Sequence, residues 1–418
     1  MILPPPIHTI CITTLNIDVM SIISTELIYW ISALLPLVLM PVVIPMVTLM
    51  ANRKRMMDAP NGRKLQKRPI PVMGGTVMVL ALCITLVIMN LFYSVNDMMP
   101  AICVMVIFYI FGMLDDMIGL SWQMKLMLQV LSIALVYFGG DYGVNSLYGL
   151  FGIEETPWWL ALLLTLFTGL LLLNAVNFVD GIDGLASALG IVCGLVMGYW
   201  NARHSFMSEA IMSFAMVGVL AAFFAYNVCS KRYKMYMGDS GSLVLGFFIF
   251  TCVCPNDYII GQKIYVIDSY FVSFTLSLLS AMIFDLVRVV LGRLFRGKSP
   301  FLPDRTHLHH ALVDSGMSHF VTTLVIVVLN IVVQIIWYYT AEAGINIDMQ
   351  YFVIIISGVV FIWGPYFYLK YIERSFPHHY YKLMKRNQIV SSWFDKIGNV
   401  VRIVLDGRRS RSITHRIE

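Results

Sequence analysis

The 418-residue sequence predicts an all-α polytopic membrane protein with about eleven transmembrane helices, and three observations carry that expectation. Hydrophobic residues make up 59% of the chain and charged residues only 13%. Mean hydropathy is +0.78. Apolar runs of roughly 17 to 25 residues, the length that spans a bilayer as a helix, recur along most of the chain.

Taken in order, the spans are expected at 27–50, 72–93, 99–114 and 124–138, then 158–176, 182–200, 210–228 and 241–255, and finally 270–291, 320–341 and 351–370. The fourth and eighth are the shortest, so a merger or a split there is compatible with the pattern. This divides the chain into an N-terminal extension (1–26), a membrane core (27–370) and a basic tail (371–418). The extension has three prolines and no basic n-region, unlike a cleavable signal, and Met20 is an alternative start. Seven cysteines lie mostly within apolar runs, without a CxxC pair, and read as small buried hydrophobes.

Orientation follows from Lys and Arg. The loops 51–71, 229–240 and 292–319 and the segment 370–418 hold 25 of the 29. Those segments are expected in the cytoplasm, with the N-terminus periplasmic and the C-terminus cytoplasmic. Basic residues deployed this way serve topology and anionic lipid, and no nucleic-acid partner is expected. Membrane-surface binding is the expected role of the tail.

The acids that stand out all fall on the same side. NAVNFVDGIDGL (174–185) places Asp180 and Asp183 three residues apart, a spacing that on a helix would let both address one ligand. Carboxylates beside apolar runs are costly unless they have a partner or a function. Asp115 and Asp116 are adjacent at a span end, and such a pair repels unless a cation or proton relieves it. Magnesium is the economical candidate, with manganese as a substitute, because it takes one or two carboxylates and completes its shell with water and phosphate oxygens. Asp239, in YMGDSGS, is either a metal ligand or an ordinary helix cap. The first basic loop clusters Arg63, Lys64, Lys67 and Arg68, a phosphate-seeking group, ahead of PVMGG. SPFLPDRTHLHH packs Asp304, Arg305, His307, His309 and His310 together. No cysteine is near, so proton handling or phosphate contact fits better than structural zinc. Five acids, a basic cluster and a histidine cluster on one face are what magnesium-assisted phosphoryl chemistry requires. Placement at the mouth of a helical bundle implies one soluble and one lipid substrate.

These motifs resemble the polyprenyl-phosphate N-acetylhexosamine-1-phosphate transferases over roughly residues 25–370. The resemblance rests on RK…IPVMGG, LDD at 114–116, NFVDGIDGLA at 177–186, MGDSGS at 237–242, FDLVRVV at 284–290 and SPFLPDRTHLHH at 299–310, all in family order. It implies transfer of a sugar 1-phosphate from a UDP-amino sugar to undecaprenyl phosphate with release of UMP. The PDRTHLHH form resembles the branch using UDP-N-acetylglucosamine, which starts O-antigen and enterobacterial common antigen glycans in the bacterial inner membrane. The resemblance further implies that Asp239 is the magnesium ligand. Asp115 and Asp116 lie by the lipid phosphate, Asp180 and Asp183 form the nucleotide-side motif, and His307, His309 and His310 flank the diphosphate. Lys64, Lys67, Asn177, Asn227, Tyr236 and Arg305 are the expected substrate-binding residues, Tyr236 by stacking on uracil. Gln66 stands where the family usually has histidine. Three alternatives remain: the muramoyl-pentapeptide transferase of peptidoglycan synthesis, a relative using another amino sugar, and a transporter. Direct attack and a covalent aspartyl intermediate both stay open, as does a homodimer.

Overall fold

The computed structural model describes residues 24–54, 57–58, 69–254, 270–299 and 305–406. They form α1 (Thr25–Lys54), α2 (Gly74–Met89), α3 (Met99–Ile118), α4 (Trp122–Gly140), α5 (Trp158–Val179), α6 (Leu185–Arg203), α7 (Met207–Cys229) and α8 (Gly238–Val253). These are followed by α9 (Phe271–Leu278), α10 (Ser280–Leu294), α11 (Leu308–Asp314), α12 (His319–Glu342), α13 (Ile347–Gly358), α14 (Gly364–Ser375) and α15 (Pro377–Asp406). A π-helical passage, Val359–Trp363, joins α13 to α14. A two-residue antiparallel pairing links β1 (Met57–Asp58) to β2 (Ile70–Pro71).

Among the described residues eight helical stretches are long and apolar enough to cross a membrane, so the chain is a multi-pass membrane protein. Each of the eleven expected spans corresponds to helix, but three do not pass as straight membrane-crossing helices. Two are α2 and α8, of 16 residues each. At 1.5 Å per residue they reach about 24 Å, short of a hydrocarbon core of about 30 Å. The third is the α9–α10 pair, bent by 75°.

The reason α8 can be short is its position. It is apolar on all sides and buried from Ser240 to Cys252, with α2, α3, α5 and α6 around it. A helix hydrophobic all round belongs inside a bundle. The bend at Leu279 leaves backbone groups without intrahelical partners, and Asn330 on α12 supplies them. Its Oδ1 accepts from Ser280 Oγ (3.0 Å) and Ala281 N–H (2.9 Å), while its Nδ2 donates to Leu278 O (2.9 Å). In an apolar interior such compensation is what lets a broken helix persist.

One expectation is corrected. Residues 180–184 are a turn between α5 and α6, closed by Gly184 at φ +85, and the second helix starts at Leu185 rather than 182. Asp180 and Asp183 therefore do not share a helix face.

Candidate active site

The site is built at the end of the bundle where α8 begins. The PVMGG loop lies against the YMGDSG loop: Gly74 N–H donates to Tyr236 O (2.9 Å), Gly75 N–H to Met237 O (3.1 Å) and Tyr236 N–H to Pro71 O (2.9 Å). A Cβ on Gly74 would stand 2.6 Å from Met237 Cα, so only glycine permits this approach. On the other side of α8, a side chain at Gly112 would collide with the Ser240 backbone.

Those contacts bring Asp115 and Asp116 to the α8 N-terminus, where the two diverge. Asp116 accepts from Asp239 N–H (2.8 Å), Ser240 N–H (3.0 Å) and Ser240 Oγ (2.8 Å). It caps α8 from another helix and is committed to positioning Asp239. Asp115 is buried, ion-paired to Lys125 and accepts from Leu120 N–H (2.8 Å). Asp239 shares Lys125, with its Oδ2 3.1 Å from Nζ, and its Oδ1 accepts from Asn177 Nδ2 at 2.6 Å. The adjacent pair thus does not turn jointly to one cation; the pair that does is Asp115 with Asp239.

Asp180, half-buried beside them, has its carboxyl pushed well above the usual range by burial and by the charges of Asp239, Asp183 and Asp116. Asp115 and Asp239 thus share the ammonium of Lys125, two carboxylates to one cation, with Asp116 and Asp180 beside them. A donor set of carboxylate oxygens with surplus negative charge suits a hard divalent cation. Asp183 faces elsewhere, with Lys234 Nζ at 2.6 Å and His319 Nδ1 at 3.0 Å from Oδ2. Burial raises its carboxyl, but the His319 hydrogen bond and the Lys234 charge outweigh that and hold it below the usual range.

The histidines form a stacked group. His307 lies between Phe178 (ring centroids 5.2 Å) and His309 (5.4 Å), and His310 follows at 4.3 Å from His309. Asp285 Oδ2, 2.9 Å from His307 Nδ1, fixes that ring, while Asp285 Oδ1 accepts from Arg288 (2.7 Å) and Leu308 N–H (3.0 Å). The Nε2 atoms of His307 and His309 are buried without a hydrogen-bond partner. Such atoms cost about 1–3 kcal/mol each unless a ligand meets them. Burial, then the neighbouring His310, lower the His309 pKa to about 3.

The remaining expected residues are placed unevenly. Lys64 and Lys67 lie outside the described residues. Asn227 is buried, and its Nδ2 donates to Met235 O (2.8 Å), so it braces the loop before α8. The Tyr236 ring has Lys234 Nζ 6.0 Å from its centroid. Arg305 pairs at the surface with Asp314 (3.3 Å). Sequence reasoning missed Lys125, Lys234, Asp285 and His319 as site residues. Lys125 stands as a lone charge in an apolar stretch and Asp285 with Arg288 as a charged pair in another, which is a signal in itself; Lys234 and His319 had none. A cavity of about 350 Å³ is lined by Asp115, Lys125 and Asp239, by the amides Gln129, Asn174 and Asn177, and by apolar side chains that include Phe108, Phe111, Trp122, Leu126, Phe178 and Leu243.

Comparison with known proteins agrees with this geometry. A family model described as Glycosyl transferase family 4 matches residues 98–254. The undecaprenyl-phosphate alpha-N-acetylglucosaminyl 1-phosphate transferase of Escherichia coli K12 is 30% identical over 274 residues, 64% of this chain and 72% of that protein. The Yersinia pestis protein of the same description is 30% identical over 271 residues, 63% and 71% respectively. The decaprenyl-phosphate N-acetylglucosaminephosphotransferase of Mycobacterium leprae is 29% identical over 299 residues, 66% and 74%. The transporter alternative gives way to these matches. The chain belongs to glycosyl transferase family 4, the membrane family of these polyprenyl-phosphate sugar-1-phosphate transferases.

Proposed function

We propose that the protein transfers N-acetylglucosamine 1-phosphate from UDP-N-acetylglucosamine to undecaprenyl phosphate, giving undecaprenyl-diphospho-N-acetylglucosamine and UMP. This is the step that opens O-antigen or enterobacterial common antigen synthesis. The observation that carries the reading is a cavity lined largely by apolar side chains together with Asp115, Lys125 and Asp239, a composition that suits a prenyl chain whose phosphate meets the charged residues.

In this reading Lys125 draws the lipid phosphate to the cavity. Asp239, with Asp115 beside it, holds magnesium (manganese substituting), which supplies charge neutralisation for the diphosphate. His307 and His309 turn their unpartnered Nε2 atoms to the sugar diphosphate, with Asp285 fixing His307. An oxygen of the lipid phosphate attacks the phosphorus that bears the sugar, the bond from that phosphorus to the UMP oxygen breaks, and UMP leaves. We favour direct attack because Asp115 and Asp116 are held by Lys125 and by the α8 N-terminus, leaving neither free as a nucleophile. The site faces the cytoplasm of the bacterial inner membrane, with the N-terminus periplasmic.

The test is incubation of the purified full chain with undecaprenyl phosphate and a panel of UDP-sugars, UDP-N-acetylglucosamine and UDP-N-acetylmuramoyl-pentapeptide among them. Mass spectrometry of the lipid product should show N-acetylglucosamine; a muramoyl-pentapeptide lipid would overturn the assignment. Sealed inside-out vesicles should consume external UDP-N-acetylglucosamine, and right-side-out vesicles only after permeabilisation.

A further inference from the structure

The function above makes no use of α15. This helix is held on one side only. Asn387 Nδ2 donates to Ser315 O (2.9 Å), Ser318 N–H donates to Ser391 Oγ (2.8 Å), and Phe394 packs on Phe320 at the start of α12 (5.7 Å). At its far end Asp406 accepts from Ser230 Oγ (2.6 Å) and Lys231 N–H (3.0 Å), just past the end of α7. The contacts with α12 and α7 are at the ends of spans, so α15 lies at the depth where the membrane begins.

Its opposite side carries Ile389, Trp393, Ile397, Val400 and Val404, spaced three or four apart along one face. That stripe is exposed, at 69% for Trp393 and 79% for Val404. Lys382, Lys385 and Arg386 precede it and are exposed, and the sequence beyond the helix adds Arg408, Arg409, Arg411 and Arg416. An apolar stripe with Trp at span-end depth, next to clustered basic residues, is the makeup of a helix lying in an interface of anionic lipid.

We propose that α15 is an interfacial helix that inserts Ile389, Trp393, Ile397, Val400 and Val404 among the lipids of the leaflet on the active-site side, taking anionic headgroups on Lys382, Lys385 and Arg386. Its inner side ties together the 315–318 loop, which leads into His319 at the start of α12, and the 230–236 loop, which carries Lys234. Both of those residues hold Asp183. Lipid contact therefore bears on the two loops that grip one acid of the site.

The full chain, carrying a benzophenone amino acid at Trp393, Ile397 or Val400, or at Asp395 or Asn399 on another face, is placed in nanodiscs of mixed anionic and zwitterionic phospholipid and irradiated. Positions 393, 397 and 400 should give lipid adducts, and 395 and 399 should not. The ratio of anionic to zwitterionic adducts should exceed that of the bilayer, and its excess should fall by up to about fivefold for each of Lys382→Gln, Lys385→Gln and Arg386→Gln. Absence of lipid adducts at the stripe would overturn the proposal, as would crosslinks to a second copy there. An anionic share equal to the mixing ratio in the parent chain would overturn the headgroup assignment. None of these readouts depends on turnover, so they stand apart from the assigned transferase reaction.

Discussion

Asp116→Ala tests whether that carboxylate positions α8 or takes part in the chemistry. In the structure it accepts three hydrogen bonds of 2.8 to 3.0 Å from the first residues of α8. Hydrogen bonds to a charged acceptor contribute about 1.5–3 kcal/mol each, and Asp116 is half-buried rather than fully enclosed. Discounting for solvent, we expect a loss of about 3 kcal/mol, or roughly 3 °C in thermal midpoint for a chain of this length. Asp116→Asn keeps one acceptor oxygen but turns an amide toward an N–H donor, so it should fall between parent and alanine. Turnover should decline in the same order, because Asp239 rides on the helix start that Asp116 holds. The assay pairs thermal unfolding in detergent with UMP release on the same preparations. An alanine variant with the parental midpoint and no turnover would refute the positioning argument and make Asp116 a chemical participant.

Asp239→Asn should keep the fold and lose nearly all turnover at saturating magnesium, because the amide preserves shape without the charge the metal needs; near-parental UMP release would remove the metal assignment. Asn330→Leu should cost about 2–4 kcal/mol by leaving Ser280 Oγ, Ala281 N–H and Leu278 O unpaired at the α9–α10 bend. Thermal unfolding checks this, and an unchanged midpoint contradicts the role given to Asn330. His309, with its folded pKa lowered to about 3, favours the neutral form in the folded state, so its contribution is complete above pH 6.5 and declines as pH drops toward 3. At pH 5 the decline should be about 2 kcal/mol. Comparing stability at pH 7 and pH 5 for parent and His309→Gln should show most of that acid loss removed in the variant; equal losses would exclude His309 as its source.

Much of this architecture was legible in the sequence because bilayer physics acts locally. A backbone in hydrocarbon must satisfy its own hydrogen bonds, so apolar length alone announces α1, α3, α5, α7 and α12 as helices. The acids were legible as a group because a carboxylate beside an apolar run is costly, and the motifs holding Asp115, Asp180, Asp239 and His307 occur in a recognisable order. What they do to one another was decided by the tertiary structure. Asp115 and Asp116 are neighbours in sequence with identical side chains, yet one meets Lys125 and the other caps α8, because Gly112 admits the Ser240 backbone to that face of α3. Asp180 and Asp183 separate because a turn replaces the helix that would have aligned them. The partners of Asp183, Lys234 and His319, stand 51 and 136 residues away. Asn330 reads as one polar residue in an apolar run until the bend 50 residues earlier is seen to rest on it. Local periodicity reports which face a residue occupies and how far a helix extends. Which charge meets which across the bundle depends on how the helices pack, and no short window of sequence contains that.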